Sequence, residues 1–307
     1  MQYQKSIDTL IATLGKVILG KDRQIRLALS CLLARGHLLL EDLPGMGKTT
    51  LAHGLARALG LGFQRIQFTS DLLPSDILGV AIYRRETQEF VLHPGPIFNQ
   101  IVLVDEVNRA TPKTQSALLE AMEEHQVTLE GETRRLPEPF FVIATQNPAY
   151  QIGTFPLPES QLDRFMMRIN LGYPDPRMER ELLKGRSRRE QAAELPACLN
   201  PEELLALQNA VLKVTVSDTL LDYVLALVSL TRTSPQVAHG LSPRASLALT
   251  RAAQAWALVH GRDFVLPEDV QAVFPAVAGH RLRPQGVDSH GELALAAGLM
   301  QSVPVPV

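Results

Sequence analysis

The 307 residues carry 30 Lys and Arg against 32 Asp and Glu, a formal net charge of −2, and 46% of them are hydrophobic. This ordinary globular balance supports one large domain and a smaller one, and it lacks the basic excess of a dedicated nucleic-acid binder, so no nucleic-acid partner is expected. Cys31 and Cys198 stand in no paired spacing, which argues against a disulfide framework or zinc site. No apolar run reaches the ~18 residues that span a bilayer, and the start MQYQKSIDTL lacks the pattern of a signal peptide. A cytoplasmic chain without a transmembrane segment is expected.

Ile7, Leu10, Ile11 and Leu14 recur at helical spacing, as do Ile25, Leu29, Leu32 and Leu33, which predicts two helices within residues 1–35. HLLLED (37–42) reads as a buried strand running into a loop at 44–47 and a helix over 48–59. A strand at 63–68, a loop-rich insertion at 69–99 and a buried strand IVLVDE (101–106) follow. Thr111 stands where it caps a helix, with Pro112 at the first position, where a missing N–H costs nothing. VTLEGETRRL (127–136) reads as a hairpin with Gly131 in its turn, and 140–145 and 165–171 as further strands.

Buried strands alternating with helices predict a three-layer α/β fold with a mostly parallel sheet. After Tyr173-Pro174-Asp175-Pro176 the pattern turns helical throughout, with helices expected at 177–190, 201–213, 217–231, 243–259 and 267–283. A boundary near 175 therefore divides a core of residues 1–174 from an all-α lid of 175–307.

The segment 42–49, Asp-Leu-Pro-Gly-Met-Gly-Lys-Thr, matches the phosphate-loop pattern except at its first position, where Asp42 replaces glycine. Gly45 and Gly47 let backbone N–H groups turn inward around phosphate oxygens, within a cradle of Pro44, Gly45, Met46, Gly47, Lys48, Thr49 and Thr50. Lys48 is placed to reach the β- and γ-phosphates of ATP, and the Thr49 hydroxyl to ligate Mg²⁺. The bland alternative is a glycine-rich turn that happens to precede Lys-Thr. The flanking strand and helix favour the phosphate loop.

Such a loop needs an acidic site about one strand away. Asp105-Glu106 ends the apolar run 101–104, and ligands of open parallel sheets lie at the carboxyl ends of strands. Asp105 suits the metal shell and Glu106 the general base that polarises the attacking water. Alone, such a pair is more often a solvated strand terminus; paired with the phosphate loop about 55 residues upstream, the metal-site reading wins. Asn147, after the strand 140–145, either bonds the γ-phosphate or lytic water, or opens a turn before Pro148.

Together DLPGMGKTTLA, IVLVDEVNRA, FFVIATQNP, LPESQLDRFM and LSPRASLAL resemble the MoxR family of AAA+ ATPases, over about residues 5–285. By that resemblance, 69–99 is the helix-2 insert and 127–136 the pre-sensor hairpin. Asn147 becomes sensor 1, Arg164 an arginine finger entering the neighbouring subunit's site, and Arg244 sensor 2, reaching from the lid. ILGK (18–21), with Ile18 and Gly20, resembles the box whose backbone frames adenine. Arg109 in VNRA stays open between an interface contact and a structural ion pair.

The resemblance further implies a homo-oligomeric ring, hexameric by expectation, that remodels or matures a protein substrate, with a von Willebrand factor A domain protein as partner. A magnesium-chelatase-like subunit, a nucleic-acid-dependent motor and an ATP-regulated binding module are the rival readings. The eight histidines show no pairing that suggests a transition-metal site.

Overall fold

Strands β1 (His37–Glu41), β2 (Phe63–Gln67), β5 (Ile101–Asp105), β8 (Phe141–Gln146) and β9 (Phe165–Ile169) form one sheet in the order β2-β5-β8-β1-β9. Each pairing in it is parallel. The computed structural model describes residues 3–86, 88–147, 155, 157–184, 187–285 and 292–306. Before and among these strands lie α1 (Gln4–Gly15), α2 (Asp22–Leu33), α3 (Lys48–Ala58), α4 (Pro74–Leu78), α5 (Pro112–Glu124) and α6 (Glu159–Leu162). Two hairpins, β3 (Gly79–Arg84) with β4 (Glu89–Pro94) and β6 (Gln126–Leu129) with β7 (Glu132–Arg135), stand outside the sheet.

Leu38, Leu40, Ile101, Leu103, Phe141 and Ile143 join one apolar cluster. Their chain neighbours Leu39, Val102, Val104, Val142 and Ala144 join a second. Successive strand residues face opposite layers, so a sheet covered on both sides needs runs of apolar residues without alternation. That explains HLLL and IVLV. Leu118, Leu119 and Met122 of α5 close the second layer, while the first continues through α1, α2 and α3.

Beyond β9 come α7 (Pro176–Lys184), α8 (Arg188–Ala193), α9 (Pro201–Val211), α10 (Asp218–Thr233), α11 (Pro243–Val259), α12 (Pro267–Ala278) and α13 (Glu292–Gln301). This lid shares the first apolar cluster through Leu204, Leu227, Leu249 and Phe274, and α11 packs against α2.

Several expectations need correction. The insertion 69–99 is not mainly loop: it folds α4 and the β3–β4 hairpin. Close backbone approach pins the hairpin's base, since a Cβ on Gly95 would lie 2.2 Å from the Ile77 carbonyl oxygen. Thr111 precedes α5 but makes no side-chain cap. Its hydroxyl meets that of Thr114 at 3.2 Å, and Thr114 turns to the Leu72 carbonyl at 2.7 Å, which ties α5 to the insertion. The helix expected over 177–190 is two, α7 and α8, separated by 185–187, of which 185–186 lie outside the described residues. The helix expected over 267–283 ends at Ala278, and Arg283–Pro284 forms strand β11 against β10 (Val237–His239), a short ladder inside the helical lid.

Candidate nucleotide site and arginine edge

A parallel sheet brings all its strand ends of one polarity to one edge. Register pairs Gln67 with Asp105 and Glu41 with Gln146 at the carboxyl edge, while His37 pairs with Phe165 at the opposite edge. The residues singled out above divide between these two edges.

At the carboxyl edge the chain leaves β1 through residues 42–47 and enters α3 at Lys48. Gly45 and Gly47 take φ of +86° and +90°, the left-handed region that side chains rarely adopt, and a Cβ on either would meet nothing within 4 Å. Conformation, not crowding, demands glycine here. Lys48 is buried, its ammonium donating to the Asp42 carbonyl (2.5 Å) and to Asn147 Oδ1 (3.3 Å). Burial lowers its pKa, opposed by the carboxylates of Asp42, Asp105, Glu106 and Glu41.

The departure from the loop pattern at Asp42 has a structural cause. Its carboxylate accepts the backbone N–H groups of Leu171 and Gly172, the latter at 3.2 Å. The phosphate loop is thereby tied to the strand exit that leads to the lid.

Asp105 ends β5 buried, with Oδ1 taking the Thr145 hydroxyl (3.1 Å) and Oδ2 the Arg65 guanidinium (2.6 Å). Glu106 follows in a left-handed conformation, φ +58°. Its carboxylate receives the Asn147 amide at Oε1 (3.0 Å), with the Gln67 amide (3.0 Å) and Arg109 Nε (3.0 Å) at Oε2. Lys48, Asn147 and Glu106 thus form one continuous chain of contacts across three strand ends. Arg109 is an ion-pair partner of Glu106 within the subunit. Sequence reading missed Gln67 and Arg65, because strand β2 bears no motif of its own.

Ile18 is buried, and Gly20 (φ +68°) lies so close to α7 that a Cβ would stand 2.9 Å from Met178 Cγ. Lys21 donates to the Tyr173 carbonyl at 2.7 Å. Segment 18–21 is therefore framed by the start of the lid.

Arg164 and Arg244 lie at the other edge. Arg164, immediately before β9, and Arg244, in the first turn of α11, place one guanidinium each on the two carboxylate oxygens of Glu123, Arg164 at 3.0 Å. They line a cavity of about 270 Å³ with Gly36, His37, Met122 and Arg281. His37 and Glu41 stand at opposite ends of β1, a rise of about 13 Å at ~3.3 Å per residue. Arg244 accordingly stands at the edge of the sheet opposite the loop 42–47 of the same chain. Glu123 carries no motif that sequence reading could have used. His37 is neutral here: burial pulls its pKa down to about 4, and its ring accepts the Val142 N–H (3.0 Å) while facing the Met122 carbonyl (3.1 Å).

Comparison with known proteins bears on this arrangement. The family model for the "ATPase family associated with various cellular activities (AAA)" matches residues 37–167, and an AAA lid domain model matches 229–294. The chain is 45% identical to YeaC of Bacillus subtilis, over 100% of this chain and 98% of that one. It is 44% identical to the chaperone MoxR1 of Mycobacterium tuberculosis, over 90% of this chain and 75% of that one. A crystal structure of a candidate ATPase from Cytophaga hutchinsonii superimposes with a TM-score of 0.89 at 38% identity, covering 100% and 96% of the two chains.

The chain belongs to the MoxR family of AAA+ ATPases.

Membership of the MoxR family implies nucleotide binding, and the residues at the carboxyl edge fit it. A nest of N–H groups at the start of α3, a buried lysine and the Thr49 hydroxyl suit phosphate and its cation. The AAA model spans the phosphate loop, Asp105-Glu106, Asn147 and Arg164, while Arg244 falls within the lid match. No helix among the described residues is long and apolar enough to cross a membrane.

Proposed function

We propose that this MoxR-family ATPase hydrolyses Mg-ATP between the subunits of a ring, each subunit contributing one half of two different sites. Lys48 and the loop 44–50 hold the phosphates, Thr49 and Asp105 the magnesium ion, and Asn147 the γ-phosphate or the attacking water. Glu106 accepts the water's proton, while Ile18 and Gly20 frame the adenine. Arg164 and Arg244 belong to the next subunit's nucleotide.

One observation carries this reading: the phosphate loop and the Arg164–Arg244 pair stand at opposite edges of the same sheet. Both arginines nonetheless converge on a single anionic group, the Glu123 carboxylate. Two planar cations aimed at one anion are what charge developing on a transferred phosphoryl group requires. A ring brings the arginine edge of one subunit to the carboxyl edge of the next. We further assign the energy of hydrolysis to remodelling or maturation of a protein substrate, a reading that the chaperone name of the mycobacterial relative supports. A hexameric, cytoplasmic ring with a von Willebrand factor A domain partner is the form we assign to it.

Before hydrolysis Glu106 must exchange the Arg109 and Gln67 contacts for water, and Asp105 must exchange Arg65 for the metal shell. Asp105 thereby trades one cation for another, while Glu106 gives up its cationic partner for water, as a general base must.

The test is a mixing experiment. Arg164→Ala protein, with the finger removed, should lose ~10³–10⁵ in turnover, the range for such fingers in nucleotide hydrolases. Mixed with Glu106→Gln protein, also inactive, it should recover activity that depends on protein concentration, because some interfaces then pair an intact Glu106 with an intact Arg164. A mixture that forms mixed oligomers and stays inactive would refute the intersubunit assignment.

A further inference from the structure

The loop that carries Arg164 is held in place from the lid. Arg281, three residues beyond α12, has a side chain only 5% exposed. Its Nε donates to Asp163 Oδ1 at 2.6 Å. Nη2 donates to the carbonyls of Asp163 (3.1 Å) and Phe165 (2.8 Å), and Nη1 to those of Met166 (3.1 Å) and Val277. A guanidinium has five N–H donors in a rigid fork, and here each has an acceptor. Four of the five acceptors belong to residues 163–166, on either side of Arg164.

Asp163 extends the link. Its second oxygen, Oδ2, accepts the Ser242 hydroxyl at 3.2 Å. Ser242 is the N-cap of α11, its hydroxyl oxygen taking the Ala245 N–H at 3.1 Å, two residues before Arg244. Asp163 therefore joins the backbone next to Arg164 to two separate lid elements, the end of α12 and the start of α11. The Arg281 guanidinium is buried and fully bonded, and removing the partner of a buried charge is costly, so the joint holds together.

We propose that Arg281 and Asp163 are positioning residues for hydrolysis in the neighbouring subunit: they lock the Arg164 loop of the core to the lid helix that bears Arg244, so that both guanidiniums are delivered to one phosphate as a unit. The proposal rests on the intersubunit reading above. Neither residue touches nucleotide; each acts through the arginine beside it. Lid and arginine finger move together, and any lid rotation driven by a subunit's own nucleotide, through the Asp42 link to residues 171–172, changes what that subunit offers its neighbour.

Arg281→Met and Asp163→Asn test this in the full chain. A fluorescent ATP analogue should bind Arg281→Met with an affinity within about twofold of the unaltered protein, while kcat falls ~10²-fold, the scale on which misplacement by about 1 Å acts. KM should change little, and Asp163→Asn should lose kcat in the same direction to a smaller extent. Mixing Arg281→Met with Glu106→Gln should restore activity, whereas mixing it with Arg164→Ala should not, because both of those lack a competent arginine edge. A merely structural Arg281 would instead weaken the subunit's own nucleotide binding, and Glu106→Gln would not rescue it; that result overturns the proposal. So does normal kcat in folded Arg281→Met, or, where that variant fails to fold, normal kcat in Asp163→Asn. If Glu106→Gln fails to rescue even Arg164→Ala, the intersubunit reading has failed and the positioning role with it; rescue of Arg164→Ala alone removes only the positioning role.

Discussion

The two edges of the sheet are built on different principles. At the carboxyl edge, Asp105, Glu106 and Asn147 lie at the ends of adjacent strands and the loop after β1 delivers Lys48 beside them, so strand register and one short loop bring them together. At the opposite edge, Arg164, Arg244, Arg281 and Glu123 come from a loop, two lid segments and α5, and ion pairs hold them. The first arrangement is set by the most rigid part of the fold, the second by the joint between core and lid. A group of side chains fixed by the sheet and another fixed by a joint differ in what can move them: the first moves only with the sheet, the second with the lid.

Substitutions at the carboxyl edge should act within the subunit that carries them. The largest such effect is expected for Glu106→Gln, which keeps the Asn147 contact but removes the proton acceptor. Loss of a general base is worth ~10²–10⁴ in rate, so ATP should bind and persist unhydrolysed in a filter-binding or quench assay. Turnover near that of the unaltered protein would assign the base elsewhere.

Lys48→Ala should have a smaller effect, and on binding rather than chemistry. Hydrogen bonds to charged groups are worth about 1.5–3 kcal/mol, so calorimetry should show ATP affinity falling roughly 10- to 150-fold. Unchanged affinity would separate the loop at 44–50 from the phosphates. Unlike Arg164→Ala, this protein should still supply its arginine edge to a neighbour, and so activate Arg164→Ala subunits in a mixture.

The smallest effect calibrates the comparison. Asn200 caps α9 in the lid, its side chain taking the Glu203 N–H at 2.9 Å while Glu203 takes the Asn200 N–H at 2.9 Å. Asn200→Ala should cost about 1 kcal/mol of stability, the usual value of such a cap, read as a lower denaturation midpoint. Turnover of the folded protein should stay unchanged. A fall in kcat there would mean that general lid stability, not the Asp163–Arg281 joint, governs the arginine edge.

Much of the carboxyl edge was legible because its signals are local. A glycine pair before Lys-Thr, an acidic pair after four apolar residues and an amide after another strand each lie within a few positions. Asp42 was legible only as an anomaly, since its partners at Leu171 and Gly172 lie some 130 positions away. The hairpin within 69–99 escaped notice because Val80, Ile82, Tyr83 and Phe90 are exposed on it, so its strands lack the alternation that marks a half-buried sheet. Thr111 sat at a helix start as read, but its hydroxyl meets that of Thr114, which in turn bonds the insertion at Leu72.

The sequence by itself determined the sheet and the glycine loop after β1, because both follow from short-range pattern: apolar runs that need cover on two faces, and glycines that take positive φ. Tertiary structure decided where the arginines go. Arg281 reads as any charged residue after a helix, and only packing across more than a hundred positions buries it against Asp163 and directs four of its five donors to residues 163–166. Charge pairing of that range leaves no periodicity in the chain, since it depends on which surfaces meet once both apolar layers have closed.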